Sequence, residues 1–217
     1  MNHAELIATT TRFVKEQLKG AEGGHDWFHI ERVWKNAKLI LKTEKADALV
    51  VELGALLHDI ADSKFHNGDE TIGPKIARKF LEDQHVSEAI ITHIEQIILN
   101  ISFKGGNFDQ PFRSRELDIV QDADRLDALG AIGIARCFNY GGFKKRPLYD
   151  PEITPNMNMS KADYKKSTAP TINHFYEKLL LLKERMNTNT GRKIAEERHA
   201  YMEDFLVQFY DEWHGRK

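Results

Sequence analysis

The sequence has almost no cysteine, no long hydrophobic run and no excess charge of either sign. Cys137 is the only cysteine among 217 residues, which excludes an internal disulfide and makes a reducing cytoplasm the expected compartment. No apolar run reaches the ~18 residues of a membrane span, and residues 1–20 lack the apolar core of a signal peptide. The 31 Lys and Arg balance 33 Asp and Glu, for a net charge of −2. We therefore expect neither a nucleic-acid nor a membrane partner.

Apolar residues recur at three-to-four-residue spacing along most of the chain. Ile90 to Leu99 is rich in β-branched residues, which are typical of strands, but its apolar positions keep the helical period. No alternating runs joined by tight Asn-Gly turns indicate a sheet. The sequence predicts an all-α fold, and no repeat or linker divides residues 1–217 into more than one domain.

Three segments interrupt the helical pattern and are predicted to be turns or loops. They are His66–Gly73, Ser102–Pro111 and Tyr140–Pro155. The third is the longest and combines a Gly-Gly pair with three consecutive cations, Lys144, Lys145 and Arg146. Long loops inside compact domains often carry function.

His58 and Asp59 directly follow the apolar stretch Leu53–Leu57. A helix end that emerges into water is one explanation. If the pair is buried, leaving it without partners costs several kcal/mol, and a metal ion or a tight hydrogen-bond network removes that cost.

Other polar residues make the metal hypothesis stronger. His29 lies on the preceding helix with Arg32 one turn later, and residues 122–127 place three carboxylates around Arg125. A solvated charged face is the alternative for that run, because clustered carboxylates in apolar surroundings repel one another unless a cation lies among them. Two imidazoles and two carboxylates suit Mn, Fe, Co, Ni or Zn, and Mg less well; here they would be His29, His58, Asp59 and Asp124.

The order His29, His58-Asp59, Asp124 resembles the H…HD…D signature of the HD-domain metal-dependent phosphohydrolases. The strings GHDWFHIERV at 24–33 and QDADRLDALGA at 121–131 are similar to the bacterial YpgQ/YedJ-type branch, which is associated with nucleotide pyrophosphohydrolase activity. The resemblance covers about residues 25–136 and implies a helical HD fold, with helices in 160–214 packed on that core. It also implies one divalent ion held by those four residues, with Mn placed first and Ni, Co, Fe, Mg and Zn as alternatives.

Neighbouring residues compete for two of the ligand positions. His25 lies four residues before His29, and Asp122 and Asp127 flank Asp124. The family pattern favours His29, which precedes the Arg-Val pair by three residues, and the Ala-Asp-Arg-Leu string favours Asp124. The residues left over become candidates for orienting ligands or arginines: His25, Asp26, Asp122 and Asp127.

Two-metal branches of the superfamily use further histidines between the HD pair and the last aspartate. His66, His85 and His93 fall in that interval. We expect His93 to be a hydrogen-bonded core residue and His85 to be a surface cap, and therefore one metal.

Asp62 and Lys64 are the expected catalytic residues. Asp62 lies four residues after His58, so a continuing helix would place it on the ligand face as a general acid or base. A solvated turn residue is the alternative. Related proteins contact phosphate at positions similar to Lys64 and His66.

The expected substrate is a nucleotide or another phosphate ester. The resemblance implies cleavage of a (deoxy)nucleoside triphosphate to monophosphate and pyrophosphate by a metal-activated water. The residues expected to bind substrate are Arg32, His66, Lys104, Arg125, Tyr140, Lys144, Lys145 and Arg146. The alternatives are a nucleoside 5′-monophosphatase, a cyclic-nucleotide phosphodiesterase and a non-catalytic metal-binding signalling module. A homodimer is left open.

Overall fold

The computed structural model describes residues 1–21, 24–61, 69, 71–101, 111–158 and 167–217. Every regular element within these ranges is a helix, so the all-α prediction is confirmed for them. The chain divides into two compact units, Met1–Asp124 and Arg125–Lys217. One domain over residues 1–217, with helices in 160–214 packed on a core at 25–136, stays a prediction. Among the described helices, none is both long enough and apolar enough to cross a membrane.

The described residues of the first unit form six helices, of which the third is central. They are α1 (His3–Gln17), α2 (Trp27–Ile40), α3 (Ala48–Leu57), α4 (Ile72–Asp83), α5 (Glu88–Asn100) and α6 (Arg115–Leu126), the last of which ends just beyond the unit. Helix α3 packs against α1, α2 and α5 and is apolar around most of its circumference, as expected for a helix surrounded by others. A Cβ on Gly54 would lie 3.2 Å from Ile97, which shows how closely α3 and α5 approach.

Side-chain caps fix where α2 and α3 begin. Asp26 Oδ1 accepts a hydrogen bond from the His29 amide, and Asp47 Oδ1 accepts from the amides of Leu49 and Val50. Such caps stabilise a helix by about 1 kcal/mol. They also set the helical register, and therefore the direction in which each side chain of the first turn points.

The second unit contains α7 (Gly130–Phe143), the short α8 (Asn173–Glu177), a 3₁₀ helix (Leu179–Arg185) and α9 (Asn189–Trp213). Helix α9 packs against α7 and the 3₁₀ helix. The prediction of a loop from Tyr140 is wrong for its first four residues, because α7 continues through the Gly pair to Phe143. A helical glycine costs about 1 kcal/mol relative to alanine, but a Cβ on Gly141 would lie 2.2 Å from Thr171 Oγ1. Close packing requires glycine there and overrides its low helix propensity.

Candidate metal centre

His29 enters the site from the first turn of α2. Its side chain is 3% exposed, and its backbone amide donates to the Asp26 cap at 3.0 Å. The cap therefore fixes the turn that carries this imidazole.

His58 forms the C-terminal cap of α3, where its ring is held by a backbone carbonyl. Nδ1 lies 2.8 Å from the Ala55 carbonyl oxygen. Because a carbonyl only accepts hydrogen bonds, Nδ1 carries the proton, and in the neutral ring the lone pair is on Nε2. Nε2 is buried and has no hydrogen-bond partner among the residues that the structure describes. A buried lone pair of this kind is what a metal-ligating histidine presents.

The four ligand candidates converge in the first unit. One ligand atom from each of His29, His58 and Asp59 lies within 4.8 Å of the other two. Asp124 Oδ1 lies 3.5 Å from His29 Nε2 and 3.9 Å from His58 Nε2. Ligands bonded at about 2.1 Å to one octahedral ion are about 3 Å apart when adjacent and about 4 Å apart when opposite. The distances and the unsatisfied His58 nitrogen fit a divalent ion.

Asp59 is held by a residue outside this set. Its Oδ2 lies 2.5 Å from His25 Nδ1. Burial raises the pKa of the Asp59 carboxyl, but the His25 hydrogen bond and the nearby His25, His58 and His29 rings outweigh it, so the pKa lies below its ordinary value. The carboxylate is therefore ionised at neutral pH, as a ligand must be.

The competing carboxylates have different surroundings. Asp124 faces both imidazoles, whereas Asp127 Oδ2 forms a 2.7 Å ion pair with Arg136 Nη1 in the second unit. Asp122 is fully buried on α6. The geometry favours Asp124 as the fourth ligand.

Two of the three histidines considered for a second metal lie outside this cluster. His93 Nε2 is 2.8 Å from Ser114 Oγ, and its ring meets the Phe112 ring edge-on. His85 is exposed and has a φ of 57° just after α4, the left-handed conformation that ends many helices. His66 lies outside the described residues.

The structure places the two predicted arginines on helices. Arg32 lies three residues after His29 on α2 and is partly buried. Arg125 Nη1 donates to the Arg185 carbonyl at 2.5 Å, within the second unit. Asp62, Lys64 and Lys104 lie outside the described residues, and their roles stay predictions.

Two of the three cations after α7 contact an aromatic ring. Lys144 Nζ lies 5.2 Å from the centre of the Phe143 ring and 5.6 Å from that of Tyr140. Arg146 Cζ also lies 5.6 Å from the Tyr140 ring, and its Nη2 donates to the Ser167 carbonyl at 2.7 Å. Lys145 has a φ of 55°. Two cations therefore already contact Tyr140, which the sequence predicts to bind substrate.

Imidazole and carboxylate side chains from three helices converge in this protein, an arrangement that can hold a divalent ion. The HD domain model matches residues 27–129, and the uncharacterized protein YpgQ of Bacillus subtilis strain 168 is 38% identical over 96% of this chain and 92% of its own length. The chain belongs to the HD-domain superfamily of metal-dependent phosphohydrolases.

Solved structures cover nearly the whole chain. An HD-superfamily hydrolase from Bacillus thuringiensis is 46% identical over 98% of this chain and 99% of that chain, with a TM-score of 0.79. The crystal structure of B. subtilis YpgQ in complex with ADP has a TM-score of 0.77 and 33% identity, over 98% of this chain and 97% of that one. The predicted HD fold is confirmed.

The Ala55 carbonyl is the part of the site that the sequence did not predict. It orients His58 through a backbone atom, so no residue type marks it. The only available signal is its position three residues before His58 at a helix end, where carbonyls lack helical partners.

Proposed function

We propose that this protein hydrolyses (deoxy)nucleoside triphosphates to nucleoside monophosphate and pyrophosphate, with Mn²⁺ as the first candidate ion. The supporting observation is the ADP complex of YpgQ, a relative aligned over almost the entire chain. A bound nucleoside diphosphate points to a site that accepts a base, a sugar and a phosphoanhydride together.

The side chains that would hold the ion are His29, His58, Asp59 and Asp124. When bound, a divalent ion there supplies Lewis acidity toward a phosphoryl oxygen and lowers the pKa of water. Within the protein, the Ala55 carbonyl keeps the His58 Nε2 lone pair directed inward. Asp62 and Lys64 are the proposed catalytic residues, with Asp62 as the group that transfers the proton.

A triphosphate needs more positive charge than one divalent ion provides. Lys144, Lys145 and Arg146 are the proposed supplement, since charge-assisted hydrogen bonds from Lys and Arg commonly bind phosphate. Lys144 and Lys145 are exposed, and Arg146 is partly exposed, so all three can reach a ligand in solution. Arg32, Arg125, His66 and Lys104 remain proposed contributors.

The decisive experiment is a nucleotide screen that separates pyrophosphate release from orthophosphate release. The purified protein is assayed with Mn²⁺, Ni²⁺, Co²⁺, Fe²⁺, Mg²⁺ or Zn²⁺ against ribo- and deoxynucleoside triphosphates, monophosphates and cyclic nucleotides. We expect one pyrophosphate and one monophosphate per triphosphate. Release of orthophosphate from monophosphates alone, or cleavage of cyclic diesters alone, would contradict the proposal.

A variant that lacks one metal ligand distinguishes the activity of this protein from that of a contaminating phosphatase. His58→Ala removes the ligand with the clearest lone pair and should abolish pyrophosphate release. His199→Ala is the matched control, because His199 is also buried, lies outside the cluster and has a ring nitrogen with no hydrogen-bond partner in the described part of the chain. It should retain activity.

A further inference from the structure

His25 links the segment before α2 to the end of α3. Its Nδ1 lies 2.5 Å from Asp59 Oδ2 across 34 positions of sequence. An ionised carboxylate can only accept hydrogen bonds, so the His25 ring donates through Nδ1. This short charge-assisted hydrogen bond holds Asp59 Oδ2 against His25.

His25 is distinct from the ligand set. The close group of ligand atoms contains His29, and the His25 ring centre lies 6.1 Å from the His29 ring in an edge-on arrangement. The His25 side chain is 27% exposed, against 3% for His29. His25 therefore contacts Asp59 from outside the close group of ligand atoms.

We propose that His25 is a positioning residue that holds Asp59 as a ligand through one oxygen only. With Oδ2 bonded to His25, Oδ1 is the oxygen left for the ion. The inference rests on the proposed metal site and adds a role for a residue that is not itself a ligand.

Binding through one Asp59 oxygen matters because it sets how many coordination positions of the ion the protein leaves open. Four side chains that give one atom each leave two of six octahedral positions for water and substrate. A carboxylate that turns to bind through both oxygens, as carboxylates readily do on divalent ions, takes one of those two. Holding Asp59 Oδ2 therefore keeps the site open for a phosphate.

Metal affinity tests this role without any enzyme assay. We expect His25→Ala to raise the Mn²⁺ dissociation constant by about 10- to 100-fold, the usual effect of losing a residue that orients a ligand, with one ion still bound at saturation. His25→Asn places an amide nitrogen near the position of Nδ1 and should recover most of the affinity. Competition with a chelating dye measures both constants.

His93→Ala is the matched control. The His93 side chain is 25% exposed and hydrogen-bonds to Ser114 Oγ, so its loss removes a similarly exposed ring at another place. The His93→Ala variant should have the wild-type Mn²⁺ dissociation constant. Water-proton relaxation adds a readout that general loosening does not produce, because His25→Ala should halve the number of exchangeable waters on bound Mn²⁺.

The outcomes separate the two hypotheses. A wild-type protein that binds no divalent ion overturns the metal site, and the role of His25 with it. If the wild-type protein binds Mn²⁺ and His25→Ala has the same Mn²⁺ dissociation constant, only the role of His25 is overturned. If His25→Ala does not fold, the His25→Asn variant tests the proposal. A near-wild-type Mn²⁺ affinity and a near-wild-type number of waters on the ion support the hydrogen bond. A loss of Mn²⁺ affinity above tenfold in a folded His25→Asn protein overturns the role of His25.

Discussion

Removing His58 should remove most of the stabilisation that a divalent ion gives the protein. In the ion-free protein, His58→Ala loses the hydrogen bond to the Ala55 carbonyl, worth about 0.5–1.5 kcal/mol. It also removes a buried unpartnered nitrogen, whose burial costs about 1–3 kcal/mol. These opposing contributions make the ion-free stability a poor measure of the role of His58. The change on adding the ion is the informative quantity.

The size of that change follows from mass action. An ion at 100 times its dissociation constant stabilises the folded state by about 2.7 kcal/mol. For a chain of this length, that corresponds to a rise of about 5–11 °C in Tm. If losing His58 weakens binding 100-fold, the same ion concentration contributes only about 0.4 kcal/mol. The rise in Tm then falls to about 1–2 °C.

Thermal unfolding with and without Mn²⁺ measures this difference directly. His199→Ala controls for the loss of a buried imidazole, since His199 is 8% exposed and His58 is 7% exposed. It should show the full wild-type rise. A full rise in His58→Ala would refute the assignment of His58 as a ligand, and no rise in the wild type would refute the site.

Three further changes test other parts of the molecule. Asp62→Asn keeps the side-chain shape and removes the acid–base group, so kcat in steady-state assays should fall about 10²–10⁴-fold while the Mn²⁺ dissociation constant stays unchanged. A wild-type kcat would exclude a proton-transfer role for Asp62. Replacing Lys144–Arg146 by alanines should raise KM for triphosphates about tenfold or more and affect monophosphate cleavage much less, whereas equal losses would mark a solvated patch. Gly141→Ala should destabilise the fold by about 1–3 kcal/mol in urea unfolding, because its Cβ would lie 2.2 Å from Thr171 Oγ1. Gly142→Ala has nothing within 4 Å and should stabilise by up to about 1 kcal/mol, and similar effects at both glycines would contradict the close packing.

The helices were predictable because burial in this chain follows the helical period. The β-branched stretch Ile90–Leu99 forms part of α5, with Ile91, Ile94 and Ile97 buried at helical spacing. Tertiary burial of one face outweighs the modest cost of β-branched side chains in a helix. The same logic failed after Tyr140, since only the packing of Thr171 against Gly141 shows why that position of α7 requires glycine.

Candidate ligand residues could be named from the sequence, because ionisable side chains next to apolar helical segments need compensation and the H…HD…D resemblance selects four of them. The distances among them could not be predicted, since the closeness of Asp124 to both imidazoles depends on how α2, α3 and α6 pack. A motif names the residue types, and the distances come from the fold.

The choice between His25 and His29 could have been made from the sequence by considering Asp26. Spacing of four residues puts both histidines on one helical face only if the helix includes both. Asp26 is a strong N-cap residue, and it caps α2 so that the helix begins at Trp27. His25 therefore precedes the helix, and its ring approaches Asp59 while His29 turns toward Asp124. One capping aspartate thus separates the two imidazoles into a candidate ligand and a partner of another ligand, and the capping signal was present in the chain from the start.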